Sequence, residues 1–213
     1  MTKPDTKTRI LEAAQTEFSA KGYEGASIRG IADRAGVQLA AVRYHLGSKD
    51  ELFKAVFERH AEAVADRRAR ILADLEAAGR GDQIEDVIET IIGPVLAFRF
   101  DSKEGRAFAK LMANTVSNPD DRSRALTKSI FDPAAEALVD RIRAAVPGLS
   151  RRDAYWSFFL SVGAMAMACS NGERLSRISD GLCNPDDPDE TLEALVTFAA
   201  GGAMALARKG QPK

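Results

Sequence analysis

Residues Ser27–Lys49 read S-I-R-G-I-A-D-R-A-G-V-Q-L-A-A-V-R-Y-H-L-G-S-K. This is the spacing of two short helices joined at a Gly-centred turn, a helix-turn-helix. Ile31, Ala35, Val37, Val42 and Leu46 can close a small core beneath the turn. Gln38, Leu39, Ala41, Arg43, Tyr44 and His45 are then left on the outer part of the second helix. A solvated helix rarely spends a Leu, a Tyr and a His on its exposed face. A helix lying in the major groove of DNA can use all three. Arg43 can bond guanine O6 and N7, Gln38 can bond adenine N6 and N7, and Leu39 or Ala41 can touch a thymine methyl. Ala40 and Ala41 keep the helix slim enough for close approach. Lys49, at the start of the next helix, can hold a phosphate. The backbone N–H groups there, and at the helix start marked by Ser27, can do the same.

Other chemistry is hard to assemble. With His45 given to DNA, His60 is left alone on a helix, and no Ser-His-Asp or Cys-His set can be built. There is no Walker A motif, no Gly-rich dinucleotide loop and no HExxH. Cys169 and Cys183 fit no metal-ligand spacing, so neither a metal nor a cofactor is expected, and Cys169 reads as a small core residue. Arg67, Arg68 and Arg70 read as a solvated face paired with Glu58, Glu62, Asp66 and Asp74. Asp186, Asp187, Asp189 and Glu190 read as caps and dipole complements at a helix start.

The elements that must position these residues are helices separated by breakers. The first is expected over Lys7–Lys21, stopped by Gly22, with Ile10, Leu11, Ala14 and Phe18 on one face. The second opens at Ser27 as N-cap and stops at Gly36. The third covers Gln38–Leu46 and stops at Gly47. Ser48 and Glu51 form a capping box that launches a long fourth helix, ended by Gly79 and Gly81. A cap at Asp82 and Glu85 should start a fifth, kinked at Gly93-Pro94. Further helices are expected over Gly105–Ser117 and Arg122–Val146, the latter interrupted near Pro133. Two strongly apolar helices close the chain, Ser150–Ser170 before Asn171-Gly172 and Asp187–Arg208, with a helical turn at Leu175–Ile178 between them. The expectation is all-α, about nine helices.

Composition agrees. A chain of 213 residues buries about 70% of its surface on folding, enough for one large domain or two small ones. With 45% hydrophobic and 29% charged residues it is globular in composition. Residues 1–60 carry 10 Lys+Arg against 8 Asp+Glu, and the rest carry 20 against 23, so a net +2 head and a net −3 body give the overall −1. The chain as a whole is no basic nucleic-acid binder, and any such site is local. Met1–Arg9 has no apolar signal region, and Phe158–Cys169 and Ala194–Ala207 fall short of the roughly 18–20 residues a membrane span needs. Two cysteines without a pairing pattern fit a reduced, cytoplasmic setting, with no membrane partner.

The order and spacing of R-I-L-E-A-A…F…K-G-Y, S-I-R-G-I-A-D-R-A-G-V and Y-H-L-G-S-K-D-E-L over Thr8–Phe57 resemble the N-terminal domain of the TetR family of bacterial transcription regulators. The resemblance implies a helix-turn-helix domain over 1–50, then a ligand-binding and dimerisation bundle over 51–213. It implies DNA contacts at Ser27, Arg29, Gln38, Leu39, Ala40, Ala41, Arg43, Tyr44, His45 and Lys49. Many members have Thr-Leu-Tyr where this chain has Ala41-Val42-Arg43, and Phe where it has Leu46. Two common phosphate contacts are thereby lost and an Arg fork is gained. The C-terminal P-G-L, Trp156 with its apolar helix, and A-A-G-G-A-M-A-L are similar to the fatty-acid-responsive branch of the family.

By that resemblance the chain is expected to be a homodimeric repressor, released from double-stranded operator DNA by a fatty acid or acyl-CoA. Phe100, Phe108, Met112, Trp156 and Phe159 would line the effector pocket. Gly163, Met167, Val196, Ala199 and Ala203 would meet their copies in a two-fold four-helix interface. The two last helices are apolar too far around their circumference for an edge facing water. Two rivals stand beside this reading. One is a ligand-independent DNA binder with a filled core. The other is a helical-bundle carrier or enzyme that kept the N-terminal fold.

Overall fold

The computed structural model describes residues 5–117 and 120–209. The outermost ends of the two expected domains, residues 1–4 and 210–213, lie outside the described residues. The described residues form ten helices: α1 (Thr6–Gly25), α2 (Ile28–Ala35), α3 (Leu39–Leu46), α4 (Lys49–Ala77), α5 (Ile84–Asp101), α6 (Lys103–Ser117), α7 (Asp121–Ile130), α8 (Asp132–Ala145), α9 (Arg151–Ile178) and α10 (Pro188–Lys209). The extra helix arises at Pro133. Its ring sits in the first turn of α8, so the expected interruption becomes a full break after Ile130.

Several local signals act as read. Ser48 accepts from Glu51 N while Glu51 accepts from Ser48 N, closing the capping box of α4. Asp187 accepts from the N–H groups of Asp189 and Glu190 at the start of α10. Others differ. Asp82 does not cap α5; Gln83 holds that position without a side-chain bond, and Asp86 reaches back to accept from Gly81 N at 3.0 Å. Asn171-Gly172 does not end α9. Asn171 leaves helical geometry (φ −139°, ψ 28°), and the helix resumes through the Leu175–Ile178 turn. At 22 residues and a mean hydropathy of 1.2 over its most apolar stretch, α10 is long and apolar enough to cross a membrane, contrary to expectation. In this fold α10 packs on α5 and α9, burying Ala199, Ala200, Ala203 and Ala207.

At the centre lies α5, which touches α4, α6, α8, α9 and α10 and is buried nearly all round. It runs as one helix through Pro94. Proline has no N–H to give the carbonyl four residues back, here that of Thr90. Arg68 of α4 supplies the missing donor, with Nε 2.9 Å from Thr90 O. Beside it, Ile71 packs against the face of Gly93, where an added Cβ would lie 3.4 Å from its Cδ1. The Gly93-Pro94 stretch, where a kink is expected, is therefore covered by α4. Of the three arginines only Arg70 stays on a solvated face, bonding the Asp66 carbonyl of its own helix; Arg67 bonds Asp101 and covers the Phe98 ring, and Arg68 patches α5.

The core is continuous from end to end. Phe18 meets Phe53 at 4.9 Å between ring centroids, Phe53 meets Phe57 at 4.9 Å, and Phe57 meets Phe108 at 5.5 Å. His60 stacks on Phe108 at 3.5 Å and stands edge-on to Phe98 at 5.3 Å. Burial pushes its imidazole down to about 4, so at neutral pH it is uncharged. Its Nε2 lies 2.8 Å from Gln15 Oε1, and Gln15 donates in turn to the Glu104 carbonyl.

The Arg68 patch predicts a double-mutant outcome. Arg68→Ala should cost about 1–3 kcal/mol by leaving the Thr90 carbonyl unpaired. In a Pro94→Ala background the new N–H can reach Thr90, so the same change should cost about 1 kcal/mol less. Urea unfolding of the four proteins measures this, and equal costs in both backgrounds would refute the patch.

Candidate nucleic-acid interface

The helix-turn-helix is fixed from below. Ser27 Oγ accepts from Gly30 N at 3.0 Å and starts α2. Gly36 ends it in the left-handed region (φ 63°, ψ 42°), where a side chain would be strained. Arg9 of α1 then donates to the carbonyls of Ala35 and Gly36, satisfying the acceptors this turn leaves open. Only Val42 and Leu46 of α3 are buried, one turn apart, together with Ile31 and Ala35 of α2; Val37 is half-buried.

That seating turns the opposite side of α3 outward. Gln38, Leu39, Ala40, Arg43, Tyr44 and His45 are exposed, Tyr44 at 85%, and Ser27 and Arg29 are exposed beside them. Ala41 is half-buried. Tyr44 and His45 stand edge to face at 5.1 Å.

Lys49 is not free. Its Nζ lies 3.3 Å from the Glu24 carbonyl and 4.3 Å from the centre of the Tyr23 ring. The Arg122 guanidinium of α7 lies 3.3 Å from the same ring centre. The Tyr23 hydroxyl donates to Asp50 Oδ1 at 2.5 Å, and Arg122 Nε donates to that oxygen at 2.7 Å. Burial and the Asp50 bond push the Tyr23 hydroxyl up to about 12, while bonds from Tyr23 and Arg122 hold Asp50 below the usual carboxylate range. Arg122 also faces Glu24 at 3.6 Å and Asp120 at 3.2 Å. A single arginine thus clamps the end of α1 and the start of α4 to α7.

The expected effector residues do not all come together. Phe108 and Met112 are buried, Phe108 inside the aromatic column, and Phe100 is half-buried near Arg99. Trp156 and Phe159 point out from α9, 49% and 67% exposed, so they line no cavity with the others. None of the five residues lines the cleft between α1, α2 and α4–α6 or the cleft beside the α9 kink. The dimer set also divides. Gly163 and Met167 are exposed and Val196 is half-buried, but Ala199 and Ala203 are 6% and 0% exposed. Those two alanines face inward within the α10 packing and are not available to a second copy.

A family model described as bacterial regulatory proteins, tetR family, matches residues 10–56. A second, described as tetracyclin repressor-like, C-terminal domain, matches residues 89–202, more than half of the chain. The chain belongs to the TetR family. TetR-family proteins are transcription regulators, not enzymes; they bind operator DNA and small-molecule effectors, often as dimers. The helix-turn-helix and the all-α bundle are those of a DNA-binding transcriptional regulator. The HTH-type transcriptional activator FasR of Mycolicibacterium smegmatis is 26% identical over 94% of this chain and 84% of its own. The HTH-type transcriptional repressor AcnR of Corynebacterium efficiens is 34% identical over 62 residues, 29% of this chain and 33% of its own. The crystal structure of FadR from Bacillus subtilis in complex with stearoyl-CoA shares the fold, with a TM-score of 0.62 at 15% identity over 89% of this chain and 97% of its own.

The Tyr23–Asp50–Arg122 clamp escaped the sequence reading. Tyr23 and Asp50 lie inside the blocks that resemble the family, but Arg122 is 72 residues from Asp50 and no spacing rule joins them. Arg122→Ala should cost about 1–2 kcal/mol by uncovering the ring and leaving Asp50 without its cation. Amide exchange should quicken in the last turn of α1 and the first turn of α4. Unchanged exchange at both places would show that Arg122 holds nothing there.

Proposed function

We propose that this chain is a homodimeric, effector-responsive repressor that reads operator DNA with α3. The observation that carries this is the outward face of α3. Tyr44, His45, Arg43 and Leu39 stand in solvent on a helix whose only inward anchors are Val42 and Leu46. Within it, Gln38, Leu39, Ala40, Ala41, Arg43, Tyr44 and His45 meet the groove, and Ser27, Arg29 and Lys49 meet the backbone, with Arg43 also reading bases. The proposal places the domain division at residue 50, with dimerisation and effector binding in 51–213. A protein bound to the chromosome works in the cytoplasm. Repression is supported by the likeness to the AcnR repressor. The longer match to the FasR activator favours a second reading, activation. The sign of transcription from an operator-bearing promoter separates the two.

The dimer face is the outer side of α9 and α10, two-fold related to its copy. Trp156, Phe159, Leu160 and Met167 of α9 and Phe198 and Met204 of α10 are all exposed. Gly163, Gly201 and Gly202 lie on these helices, and an added Cβ at any of them would meet nothing within 4 Å. Their small size serves no packing inside the protomer and suits close approach of another helix. Met167, Gly163 and Val196 stay in the interface; Ala199 and Ala203 leave it for the protomer core, and Trp156 and Phe159 join it from the effector set. The effector is an apolar acyl compound, a fatty acid or acyl-CoA, entering the bundle beside Phe100, Phe108 and Met112. The likeness to the FadR fold with stearoyl-CoA supports that class.

Binding of variants to operator and to scrambled duplex, across several salt concentrations, tests the DNA reading. Arg43→Ala should cost about 1–3 kcal/mol on operator and much less on scrambled DNA. Lys49→Ala should weaken both alike and lower the salt slope of log K by about 1. Equal loss on both duplexes for Arg43→Ala would make Arg43 a backbone contact, and no effect from either change would remove α3 as the reading helix.

The dimer has a matched pair of tests. Phe198→Glu puts a charge on the outer face and should give a folded monomer at micromolar concentration by sedimentation. Ala199→Glu puts it inside the protomer and should lower thermal stability instead. A wild-type monomer under the same conditions would overturn the dimer.

A further inference from the structure

Beside the α9 kink, α5, α6, α9 and the loop before α10 enclose a cleft of about 600 Å³. Arg99, Arg106, Lys110 and Arg177 line it, against the two carboxylates Glu173 and Asp186. Four cations against two anions leave the cleft at +2. Arg99 is the unusual member. It is only 5% exposed, yet its Nε is buried without a hydrogen-bond partner. A guanidinium this buried is costly unless an anion compensates its charge.

The fold makes room for this guanidinium. It donates to the Ala168 carbonyl, just before the kinked Asn171. A Cβ on Gly172 would lie 2.8 Å from its Nη2. Its remaining bond runs to Asp186 Oδ1 at 3.0 Å, and Arg106 donates to the same oxygen at 2.8 Å. Arginines from two helices therefore converge on one anionic oxygen, and that oxygen is lent by a loop. Asp186 is 61% exposed, so its carboxylate can be exchanged for another without unpacking the core. The bond from Arg99 and the charge of Arg106 hold Asp186 below the usual carboxylate range, so it is an ionised competitor at neutral pH.

We propose that this cleft is an anion site for a phosphate-bearing small molecule, gripped by Arg99, Arg106 and Lys110 in place of Asp186. Guanidinium forks suit phosphate oxygens, and a +2 cleft matches a multiply charged group better than a single carboxylate. The phosphate comes either from an ester headgroup, such as that of an acyl-CoA, or from a free phosphate. What the bound anion does rests on the effector-responsive reading above; that it binds does not.

The test titrates pyrophosphate into the full-length protein by calorimetry, without DNA, at an ionic strength held constant with sodium chloride. Pyrophosphate should bind saturably. Arg106→Ala should weaken it on the order of tenfold. Asp186→Asn removes the competing charge while keeping an acceptor, and should tighten binding roughly three- to tenfold. Opposite signs from two neighbouring changes are not expected of residues that merely hold the fold, and circular dichroism confirms that each variant is folded. No saturable binding, or the same effect from both changes, would overturn the site. Coenzyme A that competes with pyrophosphate and needs Arg106 assigns the site to an ester headgroup; pyrophosphate binding without such competition assigns it to free phosphate. Stearate binding that depends on Arg106 would overturn the phosphate assignment. Because DNA is absent, loss of operator reading and loss of this site show separately.

Discussion

An eight-residue helix cannot hold its own shape in water, and on the proposed reading α3 must offer its side chains to DNA bases in fixed positions. Everything around α3 answers that constraint. Val42 and Leu46 give it two anchors, set into a core that α1, α2 and the start of α4 provide. The turn before it is closed by Gly36 and by Arg9, and the turn after it by the Ser48–Glu51 box. Because the anchors occupy one side only, the outward side chains need no packing of their own. Their exposure follows from the way the helix is held.

The same core does not stop at the recognition helices. Phe53 and Phe57 are on α4, and through Phe108 they continue into the bundle without a polar gap. Around this column the links between the two halves are polar and specific: His60 to Gln15 to Glu104, and Arg122 to Tyr23 and Asp50. A pressed column transmits displacement because close-packed rings have no slack. The directional bonds around it decide which displacements are cheap. A ligand that favours one arrangement of Phe108 over another would be felt at Phe53, two rings away, which is the differential affinity any effector response needs.

What the sequence made legible was local. The caps at Ser27 and Ser48, the stops at Gly36 and Gly47 and the helix-turn-helix between them follow from residues within one or two turns of each other and stand where they were expected; the Asp82 cap does not form, and Gly22 and Asn171-Gly172 bend their helices without ending them. What it hid were pairs far apart in the chain, such as Arg68 with Thr90 or Arg99 with Asp186, 22 and 87 residues apart. Pro94 does signal a carbonyl in need of a donor, but not which helix will bring one. The apolar helices failed for a different reason. The apolar pattern of α9 and α10 runs too far around each helix to say which side faces in, and the expected sets put Trp156 and Phe159 in a pocket and Ala199 and Ala203 in the interface. The structure exchanges those four. Ala154, Ala166, Ala199, Ala200 and Ala203 face inward, and Trp156, Phe159 and Phe198 face out.

The inversion has a physical logic. Helices that meet through alanine approach closely, so α10 can lie against both α5 and α9, and α5 is covered with little side-chain bulk between axes. That leaves Trp156, Phe159 and Phe198 without a place inside the protomer, while Met165 and Leu195 fill the space that remains. A protomer with those three outside would keep a large apolar patch in water, which a soluble monomer rarely does. The patch is rigid, because it stands on two long helices locked to the core. It also carries glycines where another helix could come near. On the dimer reading, the core and the interface are therefore one problem solved in two layers: small residues inside set the spacing, and large residues outside are buried by the second copy.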